Sequence, residues 1–432
     1  MKNNINTKPL SGFMELKPEA QIQFNKMMEI IKNTYELYGF VPIDTPILER
    51  AEVLLAKGGD DTDKQIYRFT KGETDLAMRF DLTVPLARYV AEYQNELTFP
   101  FRRYAIGKVY RGEKSQAGRF REFYQCDIDV IGKGTLNISF DAEIPLVIST
   151  LFQRLGFNNF TIKINNRKIL NGFFQYLDIK NKLSDVLRAL DKIEKIGVNE
   201  TTEELKTIGI EESKIKEILS FINIKTDTLK QLDKLNIQNS LFQEGLKELQ
   251  EVDTLLKASG VNNDIYKIDL TIARGLDYYT GTVYETILND YPQLGSVCGG
   301  GRYDNLTDYY TSNKYQGVGI TFGLTRFFYL LNKGNFIDTS KKTNTKVLVV
   351  CNDDTQKEAF KVANVFRNKD INAEILLGFR EGIGYANSLG IPFVIFIGET
   401  EIKEKKITIK NMATREQKLF NLNEGIEYVI NN

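Results

Sequence analysis

Apolar residues recur along this chain with two spacings, and the change from one to the other divides it. Over "PEAQIQFNKMMEIIKNTYELY" (18–38), Ile22, Met27, Ile30, Ile31 and Leu37 keep helical spacing behind a proline suited to a first turn, and Gly39 closes the segment. "FVPIDTPILE" then predicts a strand interrupted by prolines, which suits an edge or an interface. Between 99 and 132, "RYAIGKVYR" alternates, "GEKSQAG" has loop composition, and "RFREFYQCDIDVIG" alternates again. That pattern predicts a long antiparallel hairpin with a basic tip. A helix near 140–155 and a strand "FTIKIN" follow.

Residues 178–262 are rich in Lys, Glu, Leu and Ile at helical spacing with almost no strand signal, which predicts a helical insertion. Strands return with "YKIDL" and "GTVYETIL", and "GVGITFGLTRFFYLLN" is a strand running into a helix. The polar stretch 332–346 has the composition of a linker. Beyond it "VLVVC", a helix over 355–368, "AEILL", a helix near 381–389, "PFVIFIG", "KITIK" and a last helix form a small α/β unit. The expected division is a core in two parts, 1–177 and 263–331, split by the insertion 178–262, then the linker and a domain over 347–432.

Composition narrows the class. With 432 residues the chain is too long for one compact core, and 42% apolar with 26% charged is ordinary for a globular protein. Lys plus Arg equals Asp plus Glu at 57 each, so a wholesale basic coat is absent while local basic patches stay open. Cys126, Cys298 and Cys351 form no CxxC and are expected as buried free thiols in a reducing cytosol. The first residues lack an apolar signal core, and the longest apolar runs fall far short of the ~20 residues a membrane helix needs. A soluble cytoplasmic protein without a membrane partner is the expectation.

The chain has no histidine at all. Ser-His-Asp triads, Cys-His dyads, HExxH sites and imidazole general bases are therefore excluded, and no GxxxxGK[ST] loop is present. Chemistry has to come from carboxylates, arginines, tyrosines and bound metal.

Four stretches carry such groups. Arg102, Arg103, Lys108, Arg111, Lys114, Arg119 and Arg121 crowd the hairpin; solvated charge is the plain reading, but Arg111 and Arg119 flank the loop as if to close on a polyanion. "QCDID" places Gln125, Asp127 and Asp129 on one strand face, a poor arrangement for a core and a good one for holding a zwitterion. Asp81 and Thr83 share a face just before a proline, or else form an N-cap and turn. "GSVCGGGRYDN" is either a bend or a flat floor on which a ligand approaches backbone. To these "ARGLDYYTGTVYE" (273–285) adds Arg274, Tyr278 and Tyr279 side by side.

Taken in order, these pieces resemble a class II aminoacyl-tRNA synthetase, specifically the histidyl-tRNA synthetase family. The helix with "FVPIDTPILE" resembles motif 1, the family's dimer element; "VYRGEKSQAGRFREFYQCDIDVIG" resembles motif 2; "GVGITFGLTRF" with Arg326 resembles motif 3; and "RGLDYY" resembles the histidine-specific motif. The C-terminal unit, including "YANSLGIPFVIFIGE", is similar to the family's anticodon-binding domain. The resemblance implies an α+β fold: an antiparallel-sheet catalytic domain with a helical insertion, followed by an α/β anticodon-binding domain.

It also implies a homodimeric enzyme that joins L-histidine to ATP, with Mg²⁺, and passes it to histidine tRNA. Arg111 and Arg274 would grip the α-phosphate and the attacking carboxylate, with Arg119 and Arg326 on the outer phosphates and Glu113 on adenine. Asp81, Leu82, Thr83 and Gln125 would hold the α-ammonium end, and Asp129, Tyr278 and Tyr279 the imidazole. Many bacterial members carry Glu-Gly-Thr and Glu where this chain has "DLT" and Asp129, forms that resemble a eukaryotic-like branch. The alternative is a catalytically inactive, histidine-sensing regulatory subunit of ATP phosphoribosyltransferase. Such proteins usually lack the last domain and the motif arginines.

Overall fold

The computed structural model describes residues 5–56, 64–114, 118–273 and 279–432. The chain divides into two compact units, residues 1–14 with 27–330, and residues 15–26 with 331–432.

The first unit is built on an eight-stranded sheet. Its strands are β1 (Val41–Pro42), β5 (Phe101–Tyr110), β6 (Glu122–Lys133), β7 (Phe160–Asn166), β8 (Tyr266–Ile268), β9 (Thr282–Leu288), β10 (Ser296–Tyr303) and β11 (Tyr315–Phe322), in the spatial order β1-β5-β6-β11-β10-β9-β7-β8. Every interior pairing is antiparallel, and only the two edge pairs, β1 with β5 and β7 with β8, are parallel. The proline-interrupted "FVPIDTP" supplies the edge strand β1, where a missing N–H costs least.

Alternation gives this sheet two unlike faces. Cys126, Ile128, Val130, Ile320 and Phe322 project to one side and are buried under helices over Pro18–Leu37 and Ser139–Arg154. Tyr35 of the first helix donates its hydroxyl to the Cys126 carbonyl at 3.0 Å, and Phe152 of the second meets Phe322 edge-on at 5.9 Å. Each such side chain contributes about 1.5–3 kcal/mol by leaving water. The other face carries Gln125, Asp127 and Asp129 of β6, Gly319 and Thr321 of β11, and Gly299 and Gly301 of β10. One end of that polar face is closed by a helix over Thr83–Glu92, whose Leu86, Ala87 and Val90 pack on Phe101, Ile131 and Tyr303.

A three-stranded sheet pairs β2 (Leu48–Arg50) with β4 (Thr74–Met78) and β4 with β3 (Arg68–Lys71). Between 178 and 262 the regular structure is helical: Leu183–Asp191, Ile193–Thr207 (broken at Gly197), Glu212–Ile222, Thr228–Lys234 and Ser240–Ala258, with one 3₁₀ turn before them. Within it Phe173 of the preceding helix stacks on Phe221 at 3.8 Å.

In the second unit a five-stranded sheet has the order β13-β12-β14-β15-β16, from Ala373–Leu377, Val347–Cys351, Phe393–Ile397, Ile407–Asn411 and Gln417–Phe420. The first three strands are parallel and the last two pairings antiparallel. Val347, Val349 and Cys351 pack with Ala359, Val362 and Phe366 on one face, and Leu348 and Val350 pack with Ala386 on the other. Burial on both faces is why "VLVVC" has no alternation. All three cysteines are buried free thiols. Among the described residues no helix is long and apolar enough to cross a membrane.

Candidate active site

A narrow cleft opens on the polar face of the first sheet, lined by Thr83, Asp127, Asp129, Tyr279, Gly299, Tyr303, Gly319, Ile320 and Thr321. Its floor is low because glycines underlie it: Gly299 and Gly319 line the cleft, and Gly301 lies next on the same face of β10. Gly319 stands opposite Asp129, and a Cβ there would collide with Asp129 Oδ1. A Cβ on Gly301 would sit 2.9 Å from the Tyr279 ring, so that ring lies close against the strand. The "GGG" run is thus a floor in mid-sheet rather than a bend.

Asp129 is anchored twice. Arg103, directly across the hairpin, meets Oδ2 through Nη2 at 2.6 Å, and the Tyr303 hydroxyl donates to Oδ1 at 2.5 Å. Arg103 is wholly buried; its Nη2 also donates to the Leu82 carbonyl at 3.2 Å, while its Nε and Nη1 have no hydrogen-bond partner among the described residues. The structural pairing of Asp129 with a hairpin arginine is therefore present, yet a carboxylate has about four acceptor positions and keeps capacity toward the cleft. Burial pushes Asp129 up to about 6 against the opposing pull of Arg103 and of the Tyr303 hydrogen bond. Asp127 is pushed up to about 7, first by burial, with Asp129 and Asp81 adding to it and Arg103 and a Thr321 hydrogen bond opposing.

Asp81 lies at a turn rather than on a strand. Its Oδ1 accepts the backbone N–H groups of Thr83 at 3.0 Å and Val84 at 2.8 Å, capping the helix over Thr83–Glu92. Pro85 falls in that helix's first turn, where a missing N–H is tolerated. Leu82 is buried against Ala105 and Val109, and Thr83 faces the cleft.

At the other end of β5, Arg111 lies over the rings of Phe80 at 4.3 Å and Phe123 at 5.2 Å and donates from Nε to the Phe80 carbonyl at 3.2 Å. Burial pulls its pKa down from the ordinary value, while Asp81, Glu113 and Asp127 oppose that shift. Arg119 is exposed beyond the hairpin loop, 3.7 Å from Glu113. The hairpin tip packs on the helix over Leu324–Lys333, with Phe120 edge-on to Tyr329 at 5.1 Å. That helix carries Arg326, whose Nη2 donates to the Leu294 carbonyl at 3.0 Å. Arg274 and Tyr278 lie outside the described residues.

So the structure gathers Thr83, Asp129 and Tyr279 on one cleft, with Gln125 on the same strand face, and sets Arg111 at the neck of the hairpin. It does not bring Arg119 or Arg326 into the cleft lining. Tyr303 and Thr321 join the site without having been singled out, whereas Asp127 was read as part of the β6 face for a zwitterion and Arg103 only as one of the hairpin charges.

A family model described as Histidyl-tRNA synthetase matches residues 12–327, and one described as Anticodon binding domain matches 346–432. The Histidine--tRNA ligase of Clostridium tetani is 54% identical over 440 residues, covering 100% of both chains. That of Clostridium acetobutylicum is 44% identical, covering 98% of this chain and 100% of the relative. The crystal structure of histidyl-tRNA synthetase from Nostoc sp. PCC 7120 superposes with a TM-score of 0.90 at 37% identity, over 99% of this chain and 100% of that one. On both the sequence and the fold, the chain belongs to the histidyl-tRNA synthetase family.

Proposed function

We propose that this chain is a histidine–tRNA ligase that activates L-histidine with ATP as histidyl-adenylate and transfers it to the 3′ end of histidine tRNA. The observation that carries this is the cleft itself: an acidic pocket with a tyrosine wall, continuous along β6 with the neck of an arginine-bearing hairpin, in a chain with full-length likeness to such ligases. In the first step an oxygen of the histidine carboxylate bonds to the α-phosphorus and pyrophosphate leaves with the broken P–O pair. The nucleophile is already an anion, so no general base is required, and a chain without histidine can do this chemistry by opposing charge alone.

In this reading Arg111 and Arg274 oppose the charge on the attacking carboxylate and the α-phosphate. Arg119 and Arg326 hold the outer phosphates, and Glu113 meets adenine. Asp81, Leu82, Thr83 and Gln125 surround the ammonium, while Asp129 accepts one imidazole N–H and Tyr279, beside Tyr278, meets the other nitrogen. Mg²⁺ enters with ATP. Among the described residues no three metal-ligating side chains gather, which fits an ion held by phosphates and water that neutralises phosphate charge when bound.

The protein is further proposed to be a cytoplasmic homodimer, on the free thiols and on Leu37, Val41, Ile47 and Leu48, exposed at and next to edge strand β1. The regulatory-subunit alternative is disfavoured by the anticodon-domain match and by the names of the full-length relatives. The deciding experiment is ATP–pyrophosphate exchange across the twenty amino acids. Exchange with histidine alone is expected, and no exchange with histidine in folded protein overturns the reading.

A further inference from the structure

The polar face of β6 holds a carboxylate oxygen and an amide oxygen that the described residues do not use. Asp127 is 2% exposed and lines the cleft, yet its Oδ1 has no hydrogen-bond partner among the described residues. Its neighbours differ. Both oxygens of Asp129 are engaged, by Arg103 and Tyr303, and Asp81 Oδ1 caps a helix. Two residues along the strand, Gln125 Oε1 is also buried without a partner among the described residues. Across β5 the positions opposite Asp127 and Gln125 are Ala105 and Gly107, so no long side chain from those two positions can reach over to satisfy them. A buried carboxylate oxygen left undonated is costly, and the arrangement is relieved only when something brings N–H groups to it.

Charge points to the kind of group. Around the cleft three carboxylates, Asp81, Asp127 and Asp129, face Arg103 and Arg111, while Glu285 on the same sheet face stands opposite Lys163. Among the described residues the balance is negative, the more so with Glu113, which also faces Arg111, and a cationic group with several donors matches it. Same-face positions on a strand lie about 7 Å apart, so Asp127 falls one step from Asp129 toward Gln125 and Arg111. An amino acid whose ring meets Asp129 and whose carboxylate meets Arg111 places its ammonium at that step.

We infer that Asp127 is a substrate-binding residue, its Oδ1 receiving the α-ammonium of the amino acid together with Gln125 Oε1. The inference rests on the histidine-activating reading, and it divides the acidic strand into an ammonium acceptor and a ring acceptor. The groups facing Asp127 are Arg103 from β5, Arg111 from the hairpin neck, Asp129 from its own strand, Thr321 from β11 and Asp81 from the turn before the helix, with Cys126 and Tyr35 on the sheet's other side.

The test is calorimetric binding of L-histidine and of 3-(imidazol-4-yl)propionate, which keeps ring and carboxylate and lacks the ammonium, to the full chain and to Asp127→Asn. Asp127→Asn is expected to weaken histidine roughly 10- to 100-fold and leave the propionate within about threefold. Equal losses for both ligands, or no loss, overturn the assignment. The unsubstituted chain supplies an independent arm should the variant not fold. The two rings titrate differently, because the ammonium lowers the ring pKa of histidine, so each affinity is first referred to its neutral-ring form and the ratio of the corrected values isolates the ammonium's acceptors. With Asp127 pushed up to about 7, that ratio should fall as pH drops from about 8 to about 5.5. A flat ratio overturns the inference. Failure of the ligase reading looks different: the unsubstituted chain would then show no pyrophosphate exchange with histidine at all.

Discussion

Arg103 reaches no solvent, and its charge acts on the two carboxylates beside it, holding down pKa values that burial raises to about 6 and about 7. The sign of the effect on folding follows. Both folded values lie above the ordinary 3.8, so the native state holds more protons than the unfolded chain from about pH 4 upward. These two groups favour folding at low pH, and that contribution is lost as pH rises through about 6 and 7. Replacing Arg103 by Met leaves two carboxylates without their buried cation, a loss of about 3–5 kcal/mol where breaking such a pair is measured. Arg103→Met should therefore melt below the parent by a wider margin at pH 8 than at pH 5, and its KM for histidine should recover as pH is raised. An equal gap at both pH values would mean that Arg103 serves only to fill space. Period-two spacing made Gln125, Asp127 and Asp129 legible as one face. The Arg103–Asp129 pair was not, because it depends on which residues oppose each other across a hairpin whose register alternation alone leaves open.

At the scale of elements, the cleft depends on strands lying close enough for side chains to rest on backbone. Gly319 makes this sharpest: a Cβ there meets both Asp129 Oδ1 and the Ile128 carbonyl, and the second cannot rotate away. Gly319→Ala should cost about 1–3 kcal/mol as an overpacked site. It should also raise KM for histidine, since Asp129 is displaced from Arg103 and Tyr303; thermal melts and exchange kinetics measure the two effects. A variant with parental KM would show that the floor tolerates a methyl group. The long elements could be read from spacing, including the hairpin, the helical insertion and the parallel strands of the second unit. Two other elements could not. β3 is exposed at all four positions and so has no alternation, and the helix over Thr83–Glu92 is masked by its own Pro85.

For the whole molecule, the exposed apolar positions Leu37, Val41, Ile47 and Leu48 lie at or next to the parallel edge strand β1, which is short and interrupted by proline. An edge so composed resists adding further strands, so burial there is expected through side chains across a two-fold. Sedimentation at micromolar concentration should give twice the 49.5 kDa chain mass, and a monomer there would rule the dimer out. The buried thiols extend the molecular picture in another direction. Cys126 and Cys298 sit in the first sheet on either side of Phe322, and Cys351 in the interior strand β12 of the second. Burial raises all three pKa values, so little thiolate exists while the sheets are intact. Each sheet thereby carries its own silent chemical clock. An alkylating reagent labels Cys126 and Cys298 only when the first sheet opens and Cys351 only when the second does, so mass spectrometry of the labelled chain can time the unfolding of the two units separately and without any engineered probe.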